Sequence, residues 1–124
     1  MILLDTSVWV DHLRKGDALA VQILESGLAL THAFVIGELA CGNLKPRKEI
    51  IELLQALPQA PMATDQETLS FIEQHKLMGH GIGYIDAHLL AATTLHGTAR
   101  LWTRDKKLCL LANKMGLAYQ EPAR

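Results

Sequence analysis

The chain has 124 residues, 49% of them hydrophobic, and a formal net charge of −1. This length and apolar content predict one folded domain over residues 1–124 and exclude a disordered chain. The near-zero charge excludes a global positive field that would attract nucleic acid. No apolar run approaches the roughly 20 residues needed to cross a bilayer, and Asp5 comes too early for a secretion signal. We therefore expect a cytoplasmic protein with no membrane contact.

Short apolar runs alternate along the chain with segments of helical periodicity. Strands are predicted at residues 1–4, 28–31, 100–103 and 117–119, with a further short strand around 62–63. Helices are predicted at residues 8–13, 18–25, 33–41, 47–57, 64–77, 84–96 and 105–115. The alternation predicts an α/β fold, a three-layer α/β/α sandwich with a mostly parallel central sheet.

The two cysteines, Cys41 and Cys109, lie among apolar residues in predicted helices. With no secretion signal, reduced thiols in the core are favoured over a disulfide. No spacing of Cys and His is typical of a zinc site, and the six histidines show no paired arrangement.

Four acids lie where apolar packing is expected: Asp5, Glu38, Asp86 and Asp105. Each of the first three is the only Asp, Glu, Lys or Arg in a stretch of at least ten residues, and Asp105 follows a predicted strand. A structural explanation exists for three of them, since Asp86 and Asp105 can cap helices and Asp5 can be a turn residue. Glu38 is in mid-helix, where it caps nothing, and a carboxylate in so apolar a segment needs a partner.

Asp5 and Asp105 follow strands, and ligands of open α/β sheets bind beyond the carboxyl ends of the strands. If Glu38 and Asp86 face the same edge, four carboxylates converge there. Two like charges about 4 Å apart repel by about 4 kcal/mol at an effective dielectric of about 20. A bound cation relieves such repulsion, and an all-oxygen cluster suits Mg²⁺ or Mn²⁺. Such ions activate water and stabilise an oxygen leaving phosphorus, which favours a nuclease.

Four segments resemble the PIN-domain family, in particular the VapC toxins of toxin–antitoxin pairs. They are Ile2-Leu3-Leu4-Asp5-Thr6-Ser7, Val35-Ile36-Gly37-Glu38-Leu39, the run from Asp86 to Ala92, and the run from Leu101 to Leu108. Their order and spacing agree with the family and span nearly the whole chain. The segment from His80 to Tyr84 departs from the commonest family form before the third acid, which affects the expected substrate contacts of that loop.

The resemblance implies a PIN-like sandwich with Mg²⁺- or Mn²⁺-dependent endoribonuclease activity. It also implies a homodimer, and a VapB-like antitoxin that blocks the site. By position, the catalytic and metal-binding acids are Asp5, Glu38, Asp86 and Asp105. The supporting hydroxyls that orient a carboxylate or water are Thr6 or Ser7, and Thr103. Cleavage by water, leaving a 5′-phosphate and a 3′-hydroxyl, is implied by the family as well.

The segment from residue 100 to 114 carries five bases and one acid. Its bases are either a solvated surface or contacts to RNA phosphates near the site. The candidates for RNA contact are Arg100, Arg104, Lys106 and Lys107. For Trp9 and Trp102, packing in the core is favoured over stacking on bases.

Two other functions fit parts of the sequence. An Asp after the first strand also begins haloacid-dehalogenase-like phosphatases and receiver domains, which transfer phosphoryl groups through that residue. The phosphatases require a second Asp two positions later, where this chain has Ser7. A PIN-like module that binds without catalysis is the other alternative, and the presence of all four acids argues against it.

Overall fold

The computed structural model describes residues 1–122, which form seven helices and three strands. The strands are β1 (Ile2–Leu4), β2 (Ala29–Leu30) and β3 (Arg100–Trp102). The helices are α1 (Thr6–Lys15), α2 (Ala18–Glu25), α3 (Ala33–Ala40), α4 (Arg47–Ala56), α5 (Asp65–His75), α6 (Tyr84–His96) and α7 (Lys106–Lys114).

The sheet is parallel throughout, with strand order β2-β1-β3. Ile2 pairs with Ala29 on one side of β1 and with Arg100 on the other. Parallel pairing requires helical crossovers, which cover both faces of the sheet and leave the strands buried. The predicted α/β class with a parallel sheet is confirmed.

The core lies around the central strand, where Leu3 and Leu4 are completely buried. Both tryptophans belong to it: Trp9 is 1% exposed and Trp102 is fully buried, so their predicted role in packing is confirmed. Helix α6 supplies one continuous buried segment from Ala87 to Thr93. A rigid core of this kind holds the strand ends, and therefore the residues that follow them, at fixed positions.

Two predicted strands differ from the structure. No strand forms at residues 62–63; instead Gln59 makes an isolated parallel bridge to Thr31. The pairing does not continue, because the partner segment enters α3 at Ala33, two residues after Thr31. The predicted strand at 117–119 is reduced to a single bridge between Ala118 and Leu101.

The cysteines are free thiols, as predicted, but their expected place in the core is wrong. Cys41 is exposed and Cys109 is only partly buried. Cys41 is the C-cap of α3, where the chain turns outward, so the apolar sequence around it does not bring it into the core.

None of the helices within residues 1–122 is long and apolar enough to cross a membrane. The longest of them, α6, has 13 residues.

Candidate active site

Asp5 is the buried residue at the centre of the site, with 5% of its surface exposed. It follows β1, and its backbone N–H donates to the carbonyl of Trp102 at the end of β3 (2.9 Å). Its Oδ1 accepts from the Thr6 N–H (2.7 Å). Its Oδ2 accepts from the hydroxyls of Ser7 (2.9 Å) and Thr103 (2.6 Å). A buried carboxylate with three donors is held in one orientation, as a ligand or catalytic group must be.

Thr6 connects Asp5 to Glu38. The Thr6 backbone binds Asp5, while its hydroxyl donates to Glu38 Oε1 (2.7 Å). Glu38 lies on α3 and is exposed rather than buried. The Thr6 hydroxyl is therefore the partner that a carboxylate in so apolar a segment needs. The other carboxylate oxygen of Glu38, Oε2, accepts no hydrogen bond from the described residues.

Thr103 connects the Asp5 carboxylate to the backbone of Asp105. Its hydroxyl donates to Asp5 and accepts from the Asp105 N–H (3.1 Å). Asp105 is the N-cap of α7, where its Oδ1 accepts from the Leu108 N–H (2.9 Å). The predicted supporting hydroxyls therefore sit between the acids, and the predicted capping role of Asp105 is present as well.

Asp86 is the fourth acid, and the others act on it through their charges. It lies in the first turn of α6, and its Oδ2 accepts from the Gly83 N–H (3.1 Å). Burial is the largest influence and raises the pKa of Asp86. The negative charges of Asp5, Asp105 and Glu38 raise that pKa further, against the Gly83 hydrogen bond, which lowers it. The structure thus brings all four predicted acids to one edge of the sheet, which we call the acidic centre.

The donor chemistry of the acidic centre is suited to a hard divalent cation. It consists of carboxylate and hydroxyl oxygens, the ligands that Mg²⁺ and Mn²⁺ prefer. Burial is the largest cause of the raised pKa of Asp86, and repulsion by the other three acids adds to it; a bound cation would offset that repulsion. Within residues 1–122, no three His, Cys, Asp or Glu side chains already stand as a ready-made ligand set. Several carboxylate oxygens of the acidic centre instead accept hydrogen bonds from N–H and O–H groups of the chain itself.

Comparison with known protein families matches residues 2–114 to the PIN domain. The chain belongs to the PIN-domain family. It is also 46% identical, over 121 residues and 98% of both chains, to proteins named Ribonuclease VapC32 from two strains of Mycobacterium tuberculosis. Among solved structures, it resembles FitAcB from Neisseria gonorrhoeae with a TM-score of 0.63 and 23% identity. That match covers 91% of this chain and 94% of the other, and at this identity it shows the fold alone.

The four basic candidates occupy different places in this PIN domain. Lys106 and Lys107 are exposed in the first turn of α7, directly after Asp105. The Lys107 side chain crosses the loop before α6, so close that a Cβ on Gly81 would lie 2.8 Å from its Cδ. These two lysines lie beside the acidic centre, and their contact with RNA stays a prediction.

Arg100 and Arg104 differ from the two lysines. Arg100 opens β3, about 10 Å along the strand from Thr103 at roughly 3.3 Å per residue, so it lies toward the opposite edge of the sheet from the acids. Arg104 is close to the site, but its guanidinium forms ion pairs with three carboxylates of its own chain. An RNA contact beside the acids is therefore not supported for Arg100, and the geometry gives Arg104 a different role.

A buried histidine pair connects the start of α3 with α6, and sequence reasoning missed it. His32 is fully buried and caps α3, the helix that carries Glu38; its Nδ1 accepts from the Phe34 N–H (3.0 Å). His88 is 1% exposed on α6, two residues after Asp86, and contacts Thr68 through Nδ1 (3.2 Å). The ring of Phe34 packs against both imidazoles. Nothing in the local sequence indicates this pairing, because 56 positions separate the two histidines.

Proposed function

We propose that this chain is a metal-dependent endoribonuclease and the toxin of a VapBC-type toxin–antitoxin pair. The observation that carries the proposal is the meeting of four acids from distant parts of the chain. Thr6 binds the carboxylates of Asp5 and Glu38 through its N–H and its hydroxyl, and the Thr103 hydroxyl links the Asp5 carboxylate to the Asp105 N–H. The 46% identity to proteins named Ribonuclease VapC32 supports RNA as the substrate. In this proposal residues 1–124 form one nuclease domain.

Asp5, Glu38, Asp86 and Asp105 would hold Mg²⁺ or Mn²⁺, and the ion would supply a more acidic water and charge neutralisation at phosphorus. Ser7 and Thr103 orient Asp5, and Thr6 orients Glu38. In hydrolysis the water oxygen bonds to phosphorus, the P–O3′ bond breaks, and the 3′ oxygen takes up a proton. The products are a 5′-phosphate and a 3′-hydroxyl. Lys106 and Lys107 neutralise phosphates that flank the reacting one.

A groove beside the acidic centre supports the antitoxin part of the proposal. Its cavity of about 390 Å³ lies between α1, α3 and the start of α4 and extends to Thr6 and Glu38. Val10, Leu13 and Ile50 contribute apolar surface to it. A partner segment with apolar side chains that lies here and places a cation near Glu38 would cover the acids, as a blocking antitoxin must.

Two further parts of the proposal concern the compartment and the assembly of the protein. The exposed free thiol of Cys41 fits the reducing cytoplasm, where cysteines persist unpaired. A homodimer is implied by the family resemblance, and sedimentation of the purified protein tests it: a single species of one chain's mass, 13.7 kDa, would contradict it.

The test is cleavage of total RNA with Mg²⁺, Mn²⁺ or EDTA, followed by mapping of the RNA ends. We expect cleavage with either metal, none in EDTA, and 5′-phosphate ends. Glu38→Gln and Asp5→Asn should reduce the rate by at least about 100-fold, the upper end of what losing even a ligand's supporting partner costs. Glu52→Gln, on the exposed side of α4, is the matched control and should cleave as wild type does. Undiminished cleavage by purified Glu38→Gln, or a phosphoryl group trapped on Asp5, would contradict the proposal.

A further inference from the structure

Arg104 lies between two residues of the acidic centre's loop, Thr103 and Asp105, yet its side chain turns to other carboxylates. Its Nη1 donates to Asp11 (2.8 Å), its Nη2 to Asp17 (2.6 Å) and its Nε to Glu121 (2.9 Å). Each of the three guanidinium nitrogens therefore donates to a carboxylate of the same chain. We call these four residues the Arg104 cluster.

The Arg104 cluster joins four separate segments of the fold. Asp11 is on α1, Asp17 is the N-cap of α2, Arg104 follows β3, and Glu121 belongs to the C-terminal segment. Trp102 adds to it, because its Nε1 donates to Glu121 (2.6 Å) and the Arg104 guanidinium lies 5.2 Å from its ring centre. Only 25% of the Arg104 side chain is exposed, so these contacts are partly shielded from water.

The pKa shifts of Asp17 and Arg104 reflect their ion pair. Burial alone would raise the pKa of Asp17, but the hydrogen bond from Ala20 N–H and the pairing with Arg104 outweigh burial and lower it. Burial would lower the pKa of Arg104, and its carboxylate partners raise it above its ordinary value instead. Both shifts favour the charged forms of the pair.

The backbone of Arg104 connects this cluster to the acids. Its N–H donates to Ser7 Oγ (3.0 Å), and the Ser7 hydroxyl donates to Asp5 Oδ2. On either side of Arg104, Thr103 donates to the same Asp5 oxygen and Asp105 N–H donates to Thr103. Fixing the Arg104 side chain therefore fixes the short loop from which two parts of the acidic centre project.

We infer that Arg104 is a positioning residue of the acidic centre. Glu121, in the C-terminal segment, completes the set of carboxylates that holds the Arg104 side chain in place. Arg104 acts through Ser7, Thr103 and Asp105 and binds no substrate. The kinetic consequence of this inference rests on the proposed function; the structural consequence does not.

The structural consequence is tested first, by NMR amide exchange on the metal-free full chain. Glu121→Ala removes two hydrogen bonds of the cluster, so the Arg104 and Asp105 amides should exchange faster, by about tenfold, as the loop opens locally. Glu121→Gln keeps an acceptor and should recover part of the protection. Glu25→Ala, at the exposed end of α2, is the matched control and should leave both amides unchanged.

The kinetic consequence is tested by RNA cleavage with Mn²⁺. Arg104→Lys keeps the charge but loses the fork, and Glu121→Ala should act through the same loop. Both should lower kcat by about tenfold with KM unchanged, since a misplacement of about 1 Å can cost on the order of 100-fold. The double variant should be no slower than Arg104→Lys alone, because both changes weaken the same cluster and therefore the same loop.

Three results would overturn the inference. One is unchanged amide exchange in Glu121→Ala, a readout that also applies if Arg104→Lys fails to fold. Another is wild-type kcat in both variants. The third is a raised KM in Arg104→Lys with a salt slope of RNA binding reduced by about 1, which identifies a phosphate contact instead. If the wild-type protein cleaves no RNA, the proposed function is wrong. The amide-exchange experiment still tests the role of Arg104 in that case.

Discussion

Each aspartate of the acidic centre binds a backbone N–H at a helix start as well as contributing charge. Asp5 does so at α1, Asp86 at α6 and Asp105 at α7. The two roles differ in what they need: a cap needs an acceptor oxygen, whereas a cation needs the negative charge. Substitution of Asp by Asn separates them, since the amide keeps one acceptor oxygen and loses the charge.

Asp86→Asn should stabilise the metal-free protein at neutral pH. Burial and the other three acids raise the pKa of Asp86, so its ionised form is less favourable in the folded state than in the unfolded state. A carboxyl group with a raised pKa costs stability once the pH exceeds that pKa, and the cost disappears below the unfolded value of 3.8. We expect the variant to melt a few degrees higher in EDTA at pH 7, and to show no such advantage at pH 3.

The control for this measurement is Asp65→Asn. The hydrogen bond from the Tyr84 hydroxyl (2.7 Å) is the largest influence that lowers the pKa of Asp65, and the nearby His88 imidazole lowers it further. The charge of Asp65 is therefore favoured in the folded state, and the variant should not be stabilised. An Asp86→Asn protein that melts below wild type at pH 7 in EDTA would show that repulsion does not dominate at Asp86.

Helix α3 carries Glu38 and depends on a histidine for its start. The His32 Nδ1 that accepts the Phe34 N–H must be unprotonated. Burial, and then the neighbouring His88, lower the pKa of His32 from 6.5 to about 4. The cap is therefore intact near neutral pH, and the orientation of α3 is tied to a neutral imidazole.

The pH dependence of stability should report this cap. A base whose pKa is lower in the folded state contributes stability above its unfolded pKa of 6.5 and loses it as the pH falls towards 4. Each pKa unit corresponds to about 1.4 kcal/mol, which is a substantial part of a marginal domain stability. His32→Asn keeps an acceptor at the cap and does not titrate, so its unfolding free energy should fall less steeply from pH 6.5 to 4 than that of wild type.

Urea unfolding at several pH values measures how steeply the unfolding free energies of wild type and of His32→Asn depend on pH. The exposed His75, substituted by Asn, is the control and should keep the wild-type slope. Equal slopes for wild type and His32→Asn would show that His32 does not carry this dependence.

The elements of the fold were predictable where local rules decide them. The capping box of Thr64 and Glu67 marks the start of α5 in both sequence and structure. The end of the sheet was not predictable, because residues 58–60 pair with Thr31 only through the tertiary arrangement. The four acids were predictable because Asp5, Glu38 and Asp86 interrupt apolar segments and Asp105 follows a strand. The Arg104 cluster was not, since its members lie from residue 11 to residue 121 and look like ordinary surface charges.

At the scale of the whole molecule, the topology brings the acids together. Strands β1 and β3 are parallel neighbours, so Asp5 and the loop carrying Thr103 and Asp105 leave the sheet at the same edge. Helices α3 and α6 add Glu38 and Asp86 to that edge. In our proposal, a divalent cation bound between these like charges offsets their repulsion.

Calorimetric titration of Mn²⁺ into the purified protein tests that claim most directly. We expect saturable binding to wild type and to Glu52→Gln, with affinity reduced by about tenfold or more in each of Asp5→Asn, Glu38→Gln, Asp86→Asn and Asp105→Asn. Wild-type affinity in any two of those four variants would contradict it.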